Sequence, residues 1–285
     1  MIKKTSLIAA LFLSVSAFSQ HLKISEINIS SGSGNAEKFD GTLDNFKILA
    51  PNSSILTKDF SQFHPEGFPM FMPRGMNQSS YYSLQLGLQC EKMPRATFRV
   101  GITHVSNWGA LSTSGSYSES GHYDTLVSTQ TGTLTIIDTT RSKSYHMNYY
   151  NQQIRLDGAM IFRMFGEKRW SLQAGLGASI GMSYMAKTEL HYSEYTAGNY
   201  NYSSNTIPQN NNVDINESFK NKNALGASLY IPLGFDFGLG KKRDFWMPFH
   251  LYAEMRPSLN IQSISGIGTS FSPGMNSAVG LRVKI

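Results

Sequence analysis

The stretch WSLQAGLGASIGMSYM, residues Trp170–Met185, alternates large apolar residues with small or polar residues over its whole length. One face carries Trp170, Leu172, Leu176 and Ile180, whereas the opposite face carries only serine, glutamine and glycine from Ser171 to Ser183. A strict period of two indicates a β-strand. The stretch is longer than the roughly 5–6 residues of an average strand and covers the about 9–11 residues that a tilted strand needs to cross a bilayer. It therefore predicts a membrane-crossing strand with one face towards lipid.

Seven further runs repeat this alternation, and three short charged turns, at residues 91–95, 166–169 and 241–244, each join two neighbouring runs. The other connections are long and polar, and we place them at about residues 31–77, 108–143, 190–221 and 263–272. Short turns on one side and long loops on the other are typical of transmembrane barrels. The pattern predicts an all-β fold, an eight-stranded antiparallel transmembrane β-barrel with long extracellular loops and short periplasmic turns.

Two details of the strand pattern are less regular. The apolar parity of the first run shifts between Ile24 and Ile27, which predicts a β-bulge there. Residues 46–49 and 55–60 could form a further hairpin, and a ten-stranded barrel is therefore the alternative to eight strands.

The N-terminal segment has the pattern of an export signal. Lys3 and Lys4 precede an apolar stretch at residues 7–15, and small residues follow at Ala17 and Ser19. We expect residues 1–19 to be a signal peptide and residues 20–285 to form the barrel. The single cysteine, Cys90, excludes an intramolecular disulfide scaffold and a cysteine-based metal site.

The net charge of +6 comes from basic residues that are dispersed along the chain. A nucleic-acid partner is therefore not expected. We expect no metal and no other cofactor.

Most charged residues within the runs lie opposite the leucine-rich face. A charge that faces lipid at the bilayer midplane costs about 2–4 kcal/mol, so these side chains are expected to point into the barrel. The predicted interior polar network consists of Arg99, Arg155, Asp157, Arg163, Asp236, Glu254, Arg256 and Arg282. Buried charges are normally paired, which favours a filled interior. A narrow channel for small solutes is the alternative.

Taken together, the export signal, the alternating strands, the short basic turns and a last strand that ends at Ile285 resemble the small outer-membrane β-barrel family of OmpA- and OmpX-type barrels. Phe18-Ser19-Gln20 and the Tyr/Asn/Ser-rich loops are similar to those of such proteins from the Bacteroidetes. The resemblance implies a location in the outer membrane of the cell envelope. It also implies contact with membrane lipid and lipopolysaccharide, and insertion by the barrel assembly machinery.

A short motif, His104-Val105-Ser106-Asn107, ends the third run. It is similar to the His-x-Ser-Asn motif of the outer-membrane lipid A deacylases, in which a base activates a hydroxyl nucleophile beside oxyanion donors. The resemblance implies that His104 is the base, Ser106 the nucleophile and Asn107 the oxyanion donor. A hydrolase of this kind is an alternative to a non-enzymatic protein.

Tyrosine, asparagine and serine dominate the predicted outer loops. This composition suits adaptable recognition of a partner, and the candidate binding residues are Tyr192, Tyr195, Tyr200 and Tyr202. The sequence therefore favours a non-enzymatic outer-membrane protein that supports the envelope or binds an extracellular ligand through these loops.

Overall fold

A computed structural model describes residues 22–35, 39–65, 78–91, 93–165, 169–199, 212–240 and 244–285. The expected signal peptide lies outside these ranges. The longer strands are β1 (Leu22–Asn35), β4 (Gln78–Cys90), β5 (Ala96–Val127), β6 (Leu134–Met164), β7 (Trp170–Asn199), β11 (Phe249–Ile264) and β12 (Gly268–Lys284). The shorter strands are β2 (Phe39–Asp40), β3 (His64–Pro65), β8 (Val213–Lys220), β9 (Leu225–Tyr230) and β10 (Leu233–Gly238). One α-helix, α1 (Leu43–Leu49), and 3-10 turns at Ile55–Thr57 and Asp244–Trp246 complete the described elements.

Antiparallel pairing closes the strands into a ring. The order β1-β4-β5-β6-β7 continues through β9 and β10 to β11 and β12, and β12 pairs with β1. β8, β9 and β10 pair one after another with β7 and together occupy one strand position in the barrel wall. β2 and β3 pair only with β5. The prediction of eight strands is confirmed, and the ten-stranded alternative is wrong because its extra hairpin is a helix and a 3-10 turn.

Wall polarity shows which side faces lipid. Leu156, Leu176 and Val279 each expose 67% of their surface, whereas Asp236 and Glu254 expose 1% and 3%. Charged side chains therefore lie in the lumen and apolar side chains cover the outside, the reverse of a soluble barrel. The chain is a membrane-spanning β-barrel.

Three strands run far beyond the apolar wall. β5, β6 and β7 contain 32, 31 and 30 residues, about three times the length needed to cross a bilayer. The described parts of the segments predicted as loops at 108–143 and 190–221 are thus largely β-structure, and the connection after Ile264 is only a three-residue turn. Hydroxyl pairs such as Ser118–Ser142 and Ser120–Thr140 connect the extended strands. Because these positions carry polar residues, the sequence of the extended sheet does not alternate between apolar and polar residues.

Local deviations in the strands have identifiable causes. The register of β1 against β4 shifts between Ile24 and Glu26, which confirms the predicted bulge. Inside the barrel, tyrosine rings lie over glycines of the neighbouring strand, in the pairs Gly32–Tyr81, Gly177–Tyr230 and Gly280–Tyr252. The absence of a Cβ at these glycines makes room for a ring in a narrow lumen.

Helix α1 caps the extracellular end. Thr42 accepts a hydrogen bond from the Asn45 amide, and the Asn45 side chain accepts one from the Thr42 amide, so the first turn is capped from both sides. Phe46 and Leu49 face the barrel and are buried. Among the described residues, no helix is long and apolar enough to span a membrane.

Candidate functional site

A layer of buried ion pairs crosses the lumen; we call it the charged layer. Glu254 accepts hydrogen bonds from Arg99 at 3.0 Å, from Gln173 at 3.0 Å and from Arg256. Glu26 contacts Arg99 at 3.4 Å. Every charge named here is almost fully buried, and such charges are tolerated only when they are paired.

A second group of ion pairs continues this layer towards the periplasm. Glu26 accepts hydrogen bonds from Arg163 at 2.7 Å and from Arg282 at 3.2 Å. Asp236 accepts two from Arg282, both at 2.7 Å, and its carboxylate lies 2.7 Å from Nδ1 of His250. Glu26 and His250 were absent from the sequence-based network. Glu26 lies beyond the bulge, so the parity of the apolar residues in β1 did not place it inside.

A small polar chamber lies next to the charged layer on its extracellular side. Its volume is about 50 Å³, enough for a few water-sized molecules. Asp157 lines it and accepts hydrogen bonds from Gln85 at 2.9 Å and from Tyr230. Arg155 lines it as well and donates to Gln153 at 2.8 Å. Arg256 lies between the rings of Tyr81 and Tyr230, 5.4 and 5.2 Å from their centroids.

An apolar cap lies at the extracellular mouth of the barrel. Phe46 and Ile55 of the first extracellular segment pack with Leu111, Met147 and Leu190, which point inwards from the extended strands. All five side chains are almost completely buried. The segment at residues 68–73, which is also apolar in the sequence, lies outside the described residues.

Polar contacts join the cap to β8 and to the residue that follows it. We call the contacts that Glu217 makes with the cap the latch. Glu217 accepts hydrogen bonds from the hydroxyls of Ser53 and Ser54 and, at 3.0 Å, from the Ser54 amide. Asn221 donates to the Leu49 carbonyl at 2.8 Å. Burial acts to raise the pKa of the Glu217 carboxyl, but the hydrogen bonds from Ser53 and Ser54 outweigh it and hold this pKa below its ordinary value.

The His104 motif is divided between the two sides of the wall. The imidazole lies on the outer face, 2.9 Å from the hydroxyl of Tyr184 and stacked against Tyr82. Ser106 has the same parity as His104, but Asn107 points inwards, where it donates to Asn151 at 2.9 Å. Within the described part of the chain, carboxylates lie within ion-pair distance of His122, His191 and His250. No carboxylate there orients His104, and Asn107 is on the wrong side of the wall to help Ser106.

The candidate tyrosines do not form one binding loop. Tyr192 belongs to β7 and is 98% buried beneath the cap, where Lys58 lies 4.3 Å from its ring centroid and its hydroxyl donates to Glu194. The expectation that Tyr192 is a loop residue available for binding is therefore wrong. Tyr195 is exposed on the same strand. Tyr200 and Tyr202 lie outside the described residues.

The β5–β6 hairpin presents an apolar end to the solvent. We call the residues around its turn at 128–133 the hairpin tip; they include Leu126, Val127, Leu134 and Ile136, which expose about half to two thirds of their surfaces. From Leu111 to Val127 the strand spans on the order of 50 Å at about 3.3 Å per residue. These apolar side chains therefore lie far outside the bilayer.

No protein-family model matches the chain, and no curated protein matches its sequence. Among solved structures it is similar to Neisserial surface protein A, with 10% identity, a TM-score of 0.36, and coverage of 93% of this chain and 99% of that chain. It is also similar to Ail, the attachment invasion locus protein of Yersinia pestis, with 12% identity, a TM-score of 0.25, and coverage of 92% and 100%. Likenesses of this strength carry no functional inference.

Proposed function

We propose that this chain is a non-enzymatic, non-conducting outer-membrane protein that binds an extracellular partner through its hairpin tip. The observation that carries the proposal is the exposure of Leu126, Val127, Leu134 and Ile136 beyond the membrane. Val127, Leu134 and Ile136 share one face of the hairpin, and Leu126 lies on the other face. Neighbouring exposed apolar residues on a soluble surface commonly mark an interaction site. The matching partner is a protein with an apolar surface.

The extended sheet supports this role by its construction. β5 and β6 are paired along their whole extracellular length, and β7 pairs with β6 as far as Asn199. Arg141 and Glu194 add a cross-strand ion pair at 2.7 Å. The sheet is a continuous hydrogen-bonded support that holds the tip away from the lipopolysaccharide surface.

Site-specific photocrosslinking tests the proposal. A photoreactive side chain is placed at Val127 in the tip and, as a matched control, at Ile48 on the exposed face of α1, since both positions are exposed and apolar. Cells that express each variant are irradiated in their own extracellular medium, and adducts are identified by mass spectrometry. We expect a discrete protein adduct from position 127 only. Equal labelling from both positions, or labelling from neither, would contradict the proposal.

The hydrolase alternative makes a separate and testable claim. Because Asn107 points into the lumen whereas His104 lies on the outer face, we expect lipid A to keep all its acyl chains in cells that express the wild type. Mass spectrometry of lipid A from these cells and from cells with Ser106→Ala checks this. Loss of an acyl chain with the wild type alone would establish the hydrolase instead.

A further inference from the structure

Two lysines lie side by side on the outer face, directly above the apolar wall. Lys187 of β7 and Lys220 of β8 are direct cross-strand partners, and the outward neighbour of Lys187 towards the periplasm is Met185, which is exposed to lipid. Two residues of strand rise about 7 Å. The ammonium groups therefore lie at the level of the outer-leaflet headgroups.

Like charges at directly opposed positions of an antiparallel pair repel each other. Lys187 forms an ion pair with Glu189 and lies 5.3 Å from the ring centroid of Tyr150. Lys220 is exposed, and Lys222 follows it in the exposed connection to β9. Beside Glu189, the two ammonium groups keep a net positive charge at the membrane surface, which suits one phosphate group.

A polar cleft continues the same outward face away from the membrane. Its volume is about 320 Å³, and its lining includes His146, Asn148, Tyr150, Glu189, His191 and Asn216. His146, His191 and Asn216 form one cross-strand row, and the Asn216 amide oxygen lies 2.8 Å from Nδ1 of His191. A tyrosine ring with amide, imidazole and carboxylate groups can contact both the faces and the hydroxyls of a sugar.

From this arrangement we infer that the outer face of β6, β7 and β8 binds a phosphorylated glycolipid of the outer leaflet. Lys187 and Lys220 hold a lipid A phosphate, and the sugars attached beyond lipid A enter the cleft above. The acyl chains extend along the apolar wall below Met185. This site is separate from the hairpin tip and does not depend on the partner proposed there.

A binding assay with the purified full-length barrel in detergent micelles tests the phosphate contact. The probes are bisphosphorylated lipid A and the same lipid A after enzymatic removal of its phosphates. We expect Lys187→Gln/Lys220→Gln to weaken binding of the phosphorylated form on the order of tenfold, because two charge-assisted contacts are lost. Removal of the phosphates should weaken binding to the wild type to the same extent.

Two control variants separate charge from structure. Lys23→Gln/Lys47→Gln removes the same charge from exposed positions elsewhere and should bind like the wild type, and Lys187→Arg/Lys220→Arg should retain binding. Equal binding by the glutamine variant and the wild type would overturn the inference. If millimolar inorganic phosphate displaced lipid A completely, the lysines would form a site for free phosphate, and this result would also overturn the inference.

The sugar contact has its own measurement. Asn148→Ala/Asn216→Ala should lower the affinity for lipopolysaccharide with core sugars several-fold and leave lipid A binding unchanged. An equal effect on both ligands, or no effect on either, would reject the cleft as a sugar site. The photocrosslinking result at Val127 does not depend on any of these variants, so the two proposals can fail separately.

Discussion

At the scale of single residues, the charged layer depends on carboxylates that each accept hydrogen bonds from several arginine side chains. Glu254 is 3% exposed and accepts from Arg99, Arg256 and Gln173. Removal of one partner from a buried ion pair costs about 3–5 kcal/mol, because the other charge stays buried. We expect Glu254→Gln to lower the free energy of unfolding by about this amount, measured by urea titration in phospholipid vesicles.

Glu119→Gln is the matched control for this change, because Glu119 is exposed in the extracellular hairpin. It should leave the unfolding free energy within about 0.5 kcal/mol of the wild type. Equal stability of the two variants would mean that the charged layer does not stabilise the barrel.

Gly177 gives a second prediction at this scale. A Cβ added there would lie 2.3 Å from Cζ of Tyr230, so Gly177→Ala must displace a ring whose hydroxyl donates to Asp157. We expect a loss of about 1–3 kcal/mol in the same titration. Gly158→Ala, where a Cβ would have open space around it, should show no such loss; a similar loss in both variants would argue against ring displacement as the cause.

Residue parity predicted much of this interior but not all of it. The structure buries Arg99, Arg155 and Glu254 on the lumen side, where their alternation with leucines suggested they would be. The alternation did not predict Glu26 as an interior residue. The bulge between Ile24 and Glu26 changes whether even-numbered or odd-numbered residues of β1 face the lumen. A period-two pattern counts residues, so one extra residue moves every later side chain to the other face.

At the scale of elements, the latch between the cap and Glu217 should respond to pH. Since hydrogen bonds hold the pKa of Glu217 below its ordinary value of 4.5 despite burial, the latch stabilises the cap above that value and is lost as the pH falls through the lowered pKa. We expect hydrogen-exchange protection factors in Leu43–Leu49 to drop below about pH 4.

Glu217→Gln should show this reduced protection already at neutral pH and little further change in acid. Glu119→Gln should keep the wild-type pH response. A Glu217→Gln cap that is as protected as the wild type at neutral pH would show that the apolar contacts hold the cap without the latch.

Elements were predicted best where lipid imposes a pattern. The run from Trp170 to Met185 lies on an apolar wall, and its strand followed directly from the alternation. Beyond the wall, β5 continues through Ser118 and Ser120, whose hydroxyls pair across strands and give no apolar period. Helix α1 is only seven residues long, too short for a clear helical period, and part of it was considered as a strand of an extra hairpin.

At the scale of the whole molecule, the charged layer fills the lumen and the apolar cap packs at its extracellular end. The interior of an eight-stranded barrel is just wide enough for side chains. Planar-bilayer recording of the wild type should therefore show no stable channels of nanosiemens size. Glu217→Gln should be equally silent, because the charged layer stays intact when the cap loosens.

Stable large channels in the wild type would refute a filled interior. Channels in Glu217→Gln alone would show that the cap is the effective barrier and that ions pass the charged layer.

The pairing of β1 with β12 has a consequence for the order of events in biogenesis. Arg282 and Glu26 are 256 residues apart in the sequence, yet they form an ion pair across the seam between these strands. The ring cannot close until both strands are present, so the outer edges of β1 and β12 stay unpaired until the two strands meet. An exposed strand edge readily pairs with the wrong chain. Pairing at the seam therefore removes both unpaired edges at once and leaves the barrel without an edge at which another chain could add.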